Sequence, residues 1–204
     1  MKSLVSIAGF DASSGAGIVR DVDTFFSFGF HGIAVPTCTV VQGPRGVERV
    51  EASSEELFRD TLRSATAGVS LKAVKIGVLC DEPHVRVTAH FLARRKDTPV
   101  VLDPVFAAKN GIRLITDEGV AACIDTLFEK VTVITPNAEE ASAITGTKVG
   151  TVKAARKAAE RIHALGPRAV IIKGGHLEGD PVDVLFDGRE HVLYRKARLP
   201  RSIH

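Results

Sequence analysis

The stretch "LVSIAGFDASSGAGIVRDVD", residues 4–23, decides how the rest of the chain is read. Leu4 to Ala8 form a short apolar run, and Gly9, Gly15 and Gly17 follow before an amphipathic segment begins. A glycine-rich turn between a first strand and a first helix gathers backbone N–H groups, so it usually grips something anionic. Three occupants suit it: a dinucleotide, an ATP phosphate, or a small substrate that only later acquires a phosphate. The dinucleotide fits poorly. Gly15 and Gly17 are followed by Arg20, where the GxGxxG pattern needs Gly or Ala, and the ribose-binding acid of that pattern is missing. No GxxxxGK[ST] occurs, which disfavours a Walker-type ATPase. The two glycines also suit any tight strand-to-helix turn.

Outward from that stretch, short β-rich runs alternate with amphipathic segments. The patterning predicts strands over 3–8, 33–41, 72–78, 99–102, 131–135, 168–173 and 182–187. It predicts helices over 15–28, 54–68, 83–95, 116–129, 138–145 and 151–165. "AVKIGVL", "PVVLD", "VTVIT" and "AVIIKGG" are nearly continuous apolar runs, as strands covered on both faces require. Such alternation argues for a three-layer αβα fold with a mostly parallel central sheet, in a single domain over 1–204. "VERVEA" reads as a strand of a small flap. Ser53 and Glu56 form a capping-box pattern. Val152, Ala155, Ala159, Ile162 and Leu165 trace one apolar helix face that Gly166-Pro167 ends.

Composition narrows the class. Charged residues are 25% and hydrophobic residues 45% of the chain, an ordinary globular balance. A net charge of +3, a single Tyr and no Trp do not suit a nucleic-acid surface. Cys38, Cys80 and Cys123 are odd in number and widely spaced, so they read as buried apolar fillers and not as a disulfide framework or zinc site. No apolar run is long enough for a membrane span, and the N-terminal run is too short for a signal peptide. The default is a soluble cytoplasmic protein.

In an open α/β sheet, ligands bind beyond the carboxyl ends of the strands. Those positions hold Gly9-Phe10-Asp11, Gln42-Gly43-Pro44, Cys80-Asp81, Asp103-Pro104, Thr135-Pro136-Asn137 and Lys173-Gly174-Gly175-His176. Asn137 with Glu140 is a capping arrangement, and equally a helix terminus that can face a phosphate with Glu140 acting through a metal-bound water. Lys173 before two glycines lets an ammonium and backbone N–H groups approach one phosphate, or is a solvated strand end. Asp103 is either a strand terminator or a metal-facing acid. His176 reads as a loop residue, and the other histidines show no ligand spacing.

Taken in order, "AGFDASSGAGIVRD", "VVQGPRGV", "KIGVL", "VVLDPVFAAKNG", "ITPNAEEASAITG" and "AVIIKGGH" resemble the hydroxymethylpyrimidine and phosphomethylpyrimidine kinases of thiamine biosynthesis. These belong to the ribokinase-like superfamily, with pyridoxal kinases as close cousins. The resemblance spans essentially the whole chain. It implies that the first turn is one wall of the acceptor-substrate pocket, with Gly9 and Ala16 lining it and Asp21, the acid of the following helix, binding the substrate. It implies that Gln42 hydrogen-bonds the pyrimidine ring, and that Val40, Val78 and Val105 are apolar walls. Asn137 and Glu140 match an NxxE motif for magnesium and nucleotide phosphate. Lys173, with Gly174, matches the position near the transferred phosphoryl group, and Lys173 is the expected catalytic residue. ATP and Mg²⁺ are the implied cofactors, with Glu140 and Asp103 meeting the ion through water, and a homodimer is the implied assembly.

Departures from the family pattern bear on the substrate. Val19-Arg20 stands where Gln-Ala is frequent, Gln42-Gly43-Pro44 where Gln-Asn-Thr is, and Val78 where methionine is. They keep a pyridoxal-type kinase as an alternative. The family pattern also continues past a segment like "ARLPRSIH" into a Gly-rich catalytic loop and further helices. This chain stops at His204, so the expectation is a fold missing its C-terminal part. A catalytically inactive pyrimidine-binding protein is the further alternative.

Overall fold

The computed structural model describes residues 2–43, 46–175, 177–178 and 180–197. The chain divides into two compact units, Met1–Val131 and Thr132–His204.

The first unit holds strands β1 (Ser3–Asp11), β2 (His31–Gly43), β3 (Gly46–Ala52), β4 (Leu71–Ile76) and β5 (Val100–Leu102). Its helices are α1 (Gly17–Ser27), α2 (Glu55–Thr66), α3 (Glu82–Ala93) and α4 (Asp117–Ala122). The strand order is β3-β2-β1-β4-β5. β1 pairs in parallel with both β2 and β4, and β4 with β5, while β3 runs antiparallel to β2 as an edge strand of the same sheet; "VERVEA", expected in a small flap outside the main sheet, is part of it. Val5, Ile7, Val35, Val74 and Ile76 are fully buried along these strands, and Phe58, Leu62 and Val85 bring apolar helix faces to the same core. Each such side chain contributes about 1.5–3 kcal/mol from burial, opposed by the entropy of ordering the chain.

The second unit holds β6 (Val133–Ile134), β7 (Ala169–Ile172), β8 (Val182–Phe186) and β9 (His191–Arg195), with helices α5 (Ala138–Thr145) and α6 (Val152–His163). β6 and β7 are parallel, and β7-β8-β9 form an antiparallel meander. Ala155, Ala159 and Ile162 of α6 are fully buried.

Several expectations need correction. Ser53 does not cap α2. Ser54 does, accepting from Leu57 N at 3.2 Å, and Ser53 Oγ donates instead to Thr37 O at 3.0 Å. Leu165 lies beyond the end of α6 and is 38% exposed, because the helix yields its last turn before Gly166. The helix expected over 116–129 is α4 continued by a π turn (Cys123–Leu127) and a 3₁₀ turn (Phe128–Lys130). That change of winding lets the consecutive Leu127 and Phe128 both be fully buried. β9 was not among the predicted strands. Its signal is Asp187-Gly188, where Gly188 takes φ +90 and Asp187 Oδ1 accepts from Arg189 N and Glu190 N at 2.9 Å.

Candidate functional site

In the first unit, α1 leads from β1 to β2 on one side, and α2 leads back to β4 on the other side of β1. The connections reverse at β1, so the crevice for a ligand lies outside its carboxyl end. Gly9, Phe10 and Asp11 occupy that end.

Asp11 organises the turn. It is 3% exposed, and its Oδ1 accepts from Ser13 N at 2.9 Å and Ser13 Oγ at 2.7 Å. Its Oδ2 accepts from Ala16 N at 3.1 Å and from Gln42 Nε2 at 3.5 Å. One carboxylate therefore shapes the loop and orients the amide assigned to the pyrimidine. Gly17 must be glycine: it takes φ +64, and a Cβ there would sit 2.1 Å from Gly9 O. A Cβ on Gly9 would sit 3.0 Å from Cys38 Sγ, 3.2 Å from Val40 Cγ2 and 4.0 Å from Val78 Cβ. Val40, Val78 and Val105 belong to one apolar cluster with Cys38, Val47, Cys80 and Leu114. Gly9, Ala16, Gln42, Val40, Val78 and Val105 are thus gathered around one strand end.

Asp21 has other partners. Its Oδ2 accepts from Ser6 Oγ at 2.5 Å and from Lys75 Nζ at 2.7 Å, which ties α1 to β1 and β4. Asp103 closes β5, its backbone N–H donating to Ile76 O at 2.9 Å.

Behind the apolar cluster runs a buried polar chain. Thr37 Oγ1 donates to Val78 O at 2.7 Å. Ser53 Oγ reaches His84 Nε2 at 3.2 Å, and His84 Nδ1 reaches Asp81 Oδ1 at 2.6 Å. His84 is 1% exposed and packs its ring on Phe58 at 4.9 Å. The chain anchors the β2–β3 hairpin to the turn between β4 and α3, and so steadies the wall that Val78 belongs to.

In the second unit, Asn137 caps α5: its Oδ1 accepts from Glu139 N and Glu140 N at 2.9 Å. Glu140 Oε2 returns to accept from Asn137 N at 2.7 Å, completing a capping box. Glu140 is 6% exposed. Asn137 also bridges in parallel to Lys173, whose N–H donates to Pro136 O at 2.8 Å. The helix N-terminus and the lysine are therefore neighbours, as an anion site needs. Gly174 donates to Asp183 Oδ1 at 2.7 Å, and a Cβ on it would overlap Val182 O at 2.0 Å. A Cβ on Gly175 would meet open space. His176 and Pro44 lie outside the described residues.

Capping and phosphate binding, posed as alternatives for Asn137 and Glu140, are compatible, because a capped N-terminus still presents N–H groups. Among the described residues there is no group of three His, Cys, Asp or Glu side chains that could hold a metal. Sequence reasoning missed Asp11 and Asp183 as organisers. The signal for Asp11 was present, since an Asp followed two residues later by Ser is an Asx-turn pattern. No helix among the described residues is long and apolar enough to cross a membrane.

Known proteins fit this geometry. The model of the phosphomethylpyrimidine kinase family matches residues 11–204. A hydroxymethylpyrimidine/phosphomethylpyrimidine kinase of Aquifex aeolicus is 35% identical over 196 residues, covering 96% of this chain and 77% of the relative. The crystal structure of a phosphomethylpyrimidine kinase from Clostridium difficile superposes with a TM-score of 0.87 at 33% identity, over 96% of this chain and 84% of that one. Bacillus subtilis pyridoxal kinase in complex with ADP superposes with a TM-score of 0.88 at 32% identity, over 98% and 76% of the two chains.

Proposed function

This chain belongs to the phosphomethylpyrimidine kinase family, and from that premise we propose that it serves ATP-dependent phosphorylation of hydroxymethylpyrimidine and its monophosphate in thiamine biosynthesis. It is a phosphotransferase of ribokinase-like fold. We take its two units as parts of one kinase domain.

The observation that carries the substrate assignment is the set of groups around the end of β1. Gly9 is the floor, since its missing side chain leaves room above Cys38, Val40 and Val78. A flat heteroaromatic ring fits such a glycine floor with valine walls. Gln42 stands beside it with its amide turned by Asp11. An amide presents one N–H and one carbonyl on the same edge, the complement of an aminopyrimidine edge with its ring nitrogen and amino group. Val105 closes the wall and Ala16 the loop side. Asp21 serves this reading by bracing the turn through Ser6 and Lys75.

The second unit supplies the nucleotide side. Asn137 sets the N-terminus of α5, and Lys173 with Gly174 offers charge and backbone N–H groups to phosphate oxygens. Lys173 neutralises charge that develops on the transferred phosphoryl group. Glu140 is the carboxylate we assign to magnesium through water, and Asp103, after the end of β5, is proposed as a metal-facing acid in its own unit. Magnesium, when bound, supplies charge neutralisation on the nucleotide phosphates. The rest of the rate enhancement comes from positioning. A homodimer and a cytoplasmic location complete the reading.

The test is steady-state kinetics with hydroxymethylpyrimidine. Gln42→Ala removes an amide–heterocycle pair and is expected to raise the pyrimidine KM by about 5- to 100-fold, with the KM for ATP unchanged. Turnover of pyridoxal but not of the pyrimidine would favour the second reading, a vitamer kinase, which the likeness to pyridoxal kinase motivates.

A further inference from the structure

Two of the three cysteines sit at backbone irregularities that converge on the floor of the proposed pyrimidine pocket. The β1–β2 register slips between Ala8 and Phe10: Ala8 pairs with Pro36 and Phe10 with Thr39, so Thr37 and Cys38 together face Gly9. Such a bulge re-aims a side chain, and here Cys38 Sγ lies 3.0 Å from where a Gly9 Cβ would be. Cys80 takes φ +60, a left-handed conformation shared among the described non-glycine residues only with Ser14. Side chains other than Asn and Asp rarely adopt it. It is held by an isolated bridge to Ile115 and by Thr116 N donating to Cys80 O at 2.8 Å. The two thiols belong to one buried cluster, close enough that each shifts the titration of the other.

We infer that Cys38 and Cys80 form an oxidative modification site, a reversible disulfide that closes behind the floor of the pyrimidine pocket. The link to the pocket rests on the proposed function; the disulfide itself does not.

Access and reactivity both fit. Cys80 lines a groove of about 490 Å³ with Ala52, Asp81 and Thr116, while Cys38 is buried, so a small peroxide has to pass Cys80 to reach it. The hydrogen bond from Cys80 holds the Cys38 thiol below its ordinary pKa, and the same bond, with burial, pushes the Cys80 thiol up. Of the two, Cys38 is the more readily deprotonated, with the Cys80 thiol beside it to resolve the product. Cys123 is the contrast: burial alone pushes it up to about 12, and it stays protonated and inert.

With hydrogen peroxide as oxidant, the Cys38 thiolate attacks one peroxide oxygen. The O–O bond breaks, and with one proton a sulfenic acid and water result. Cys80 sulfur then attacks the sulfenic sulfur, the S–O bond breaks, and the thiol proton leaves with the hydroxyl as a second water. Two thiols are oxidised to one disulfide and one peroxide is reduced to two waters. A dithiol reductant reverses the reaction by exchange. The covalent bond draws the sulfurs closer than a hydrogen bond does. It moves β2 toward the turn before α3, taking Cys38 from under Gly9 and shifting the Val40–Val78 wall.

The full chain should be treated with hydrogen peroxide, mapped by non-reducing peptide mass spectrometry, and titrated with hydroxymethylpyrimidine in a calorimeter. The expected result is a Cys38–Cys80 linkage with a mass loss of about 2 Da, and an affinity weakened tenfold or more that dithiothreitol restores. In Cys38→Ser and in Cys80→Ser, peroxide should leave each variant's own untreated affinity unchanged. The wild-type mass measurement stands even where a variant does not fold. Absence of the linkage, or a linkage that leaves affinity unchanged, overturns the inference. A linkage in a protein whose reduced form binds no pyrimidine supports the modification site and counts against the pocket assignment instead.

Discussion

Asp11 holds the loop amides of Ser13 and Ala16, the Ser13 hydroxyl and the Gln42 amide on one buried carboxylate. A carboxylate suits this task because it only accepts, and all four of its partners donate. Asp11→Ala leaves those donors unpaired. We expect a loss of about 1–3 kcal/mol in stability together with a raised pyrimidine KM, read by denaturant unfolding and kinetics. Asp21 is the counterpart. It is paired with Lys75 and Ser6 at positions one-quarter exposed or less. Asp21→Asn should lower stability by about 1–3 kcal/mol while the pyrimidine KM stays within about twofold, equivalent to some 0.4 kcal/mol. A large KM change with unchanged stability would return Asp21 to the substrate.

At the scale of the element, two helix starts do different work. α1 has no side-chain cap: Ala16 precedes it, and its entry depends on Gly17 at φ +64 against Gly9 O. Gly17→Ala places a methyl where no atom fits, so the turn opens and the pocket is lost with it. The variant should fail to bind pyrimidine, while nucleotide binding, which we assign to the second unit, is retained wherever it folds. α5 is capped by Asn137. Asn137→Ala should cost about 1 kcal/mol of stability and weaken ATP binding without moving the pyrimidine KM, read by thermal shift and calorimetry. The two variants together separate the acceptor side from the nucleotide side.

Across the whole molecule, the homodimer is the remaining expectation, and light scattering of the full chain checks it: a mass twice that of one chain supports it and a monomer at every concentration removes it. Much of the architecture could be read from apolar runs and their spacing, because strands covered on both faces carry continuous Val and Ile, and helices carry their own period. The capping box at Asn137 and Glu140 was visible for the same reason: it is local, closed within four residues. The Gly9, Gln42, Lys173 set could be named from motifs in order. What local pattern could not supply were contacts between distant segments. Asp11 meets Gln42 across 31 residues and Asp21 meets Lys75 across 54. Ser53 turned to His84 and Thr37 rather than to its own helix, since a buried histidine and an open carbonyl were nearer partners. Cys38 and Cys80 read as separate fillers; the fold places both in one buried cluster, at a slipped register and a left-handed residue. Sequence by itself determined the elements, their order and the family, because those depend on short-range periodicity and motif spacing. Only the tertiary structure decided which polar groups and thiols face one another, because pairing across strands depends on register, and a shift of one residue turns a side chain to the other face.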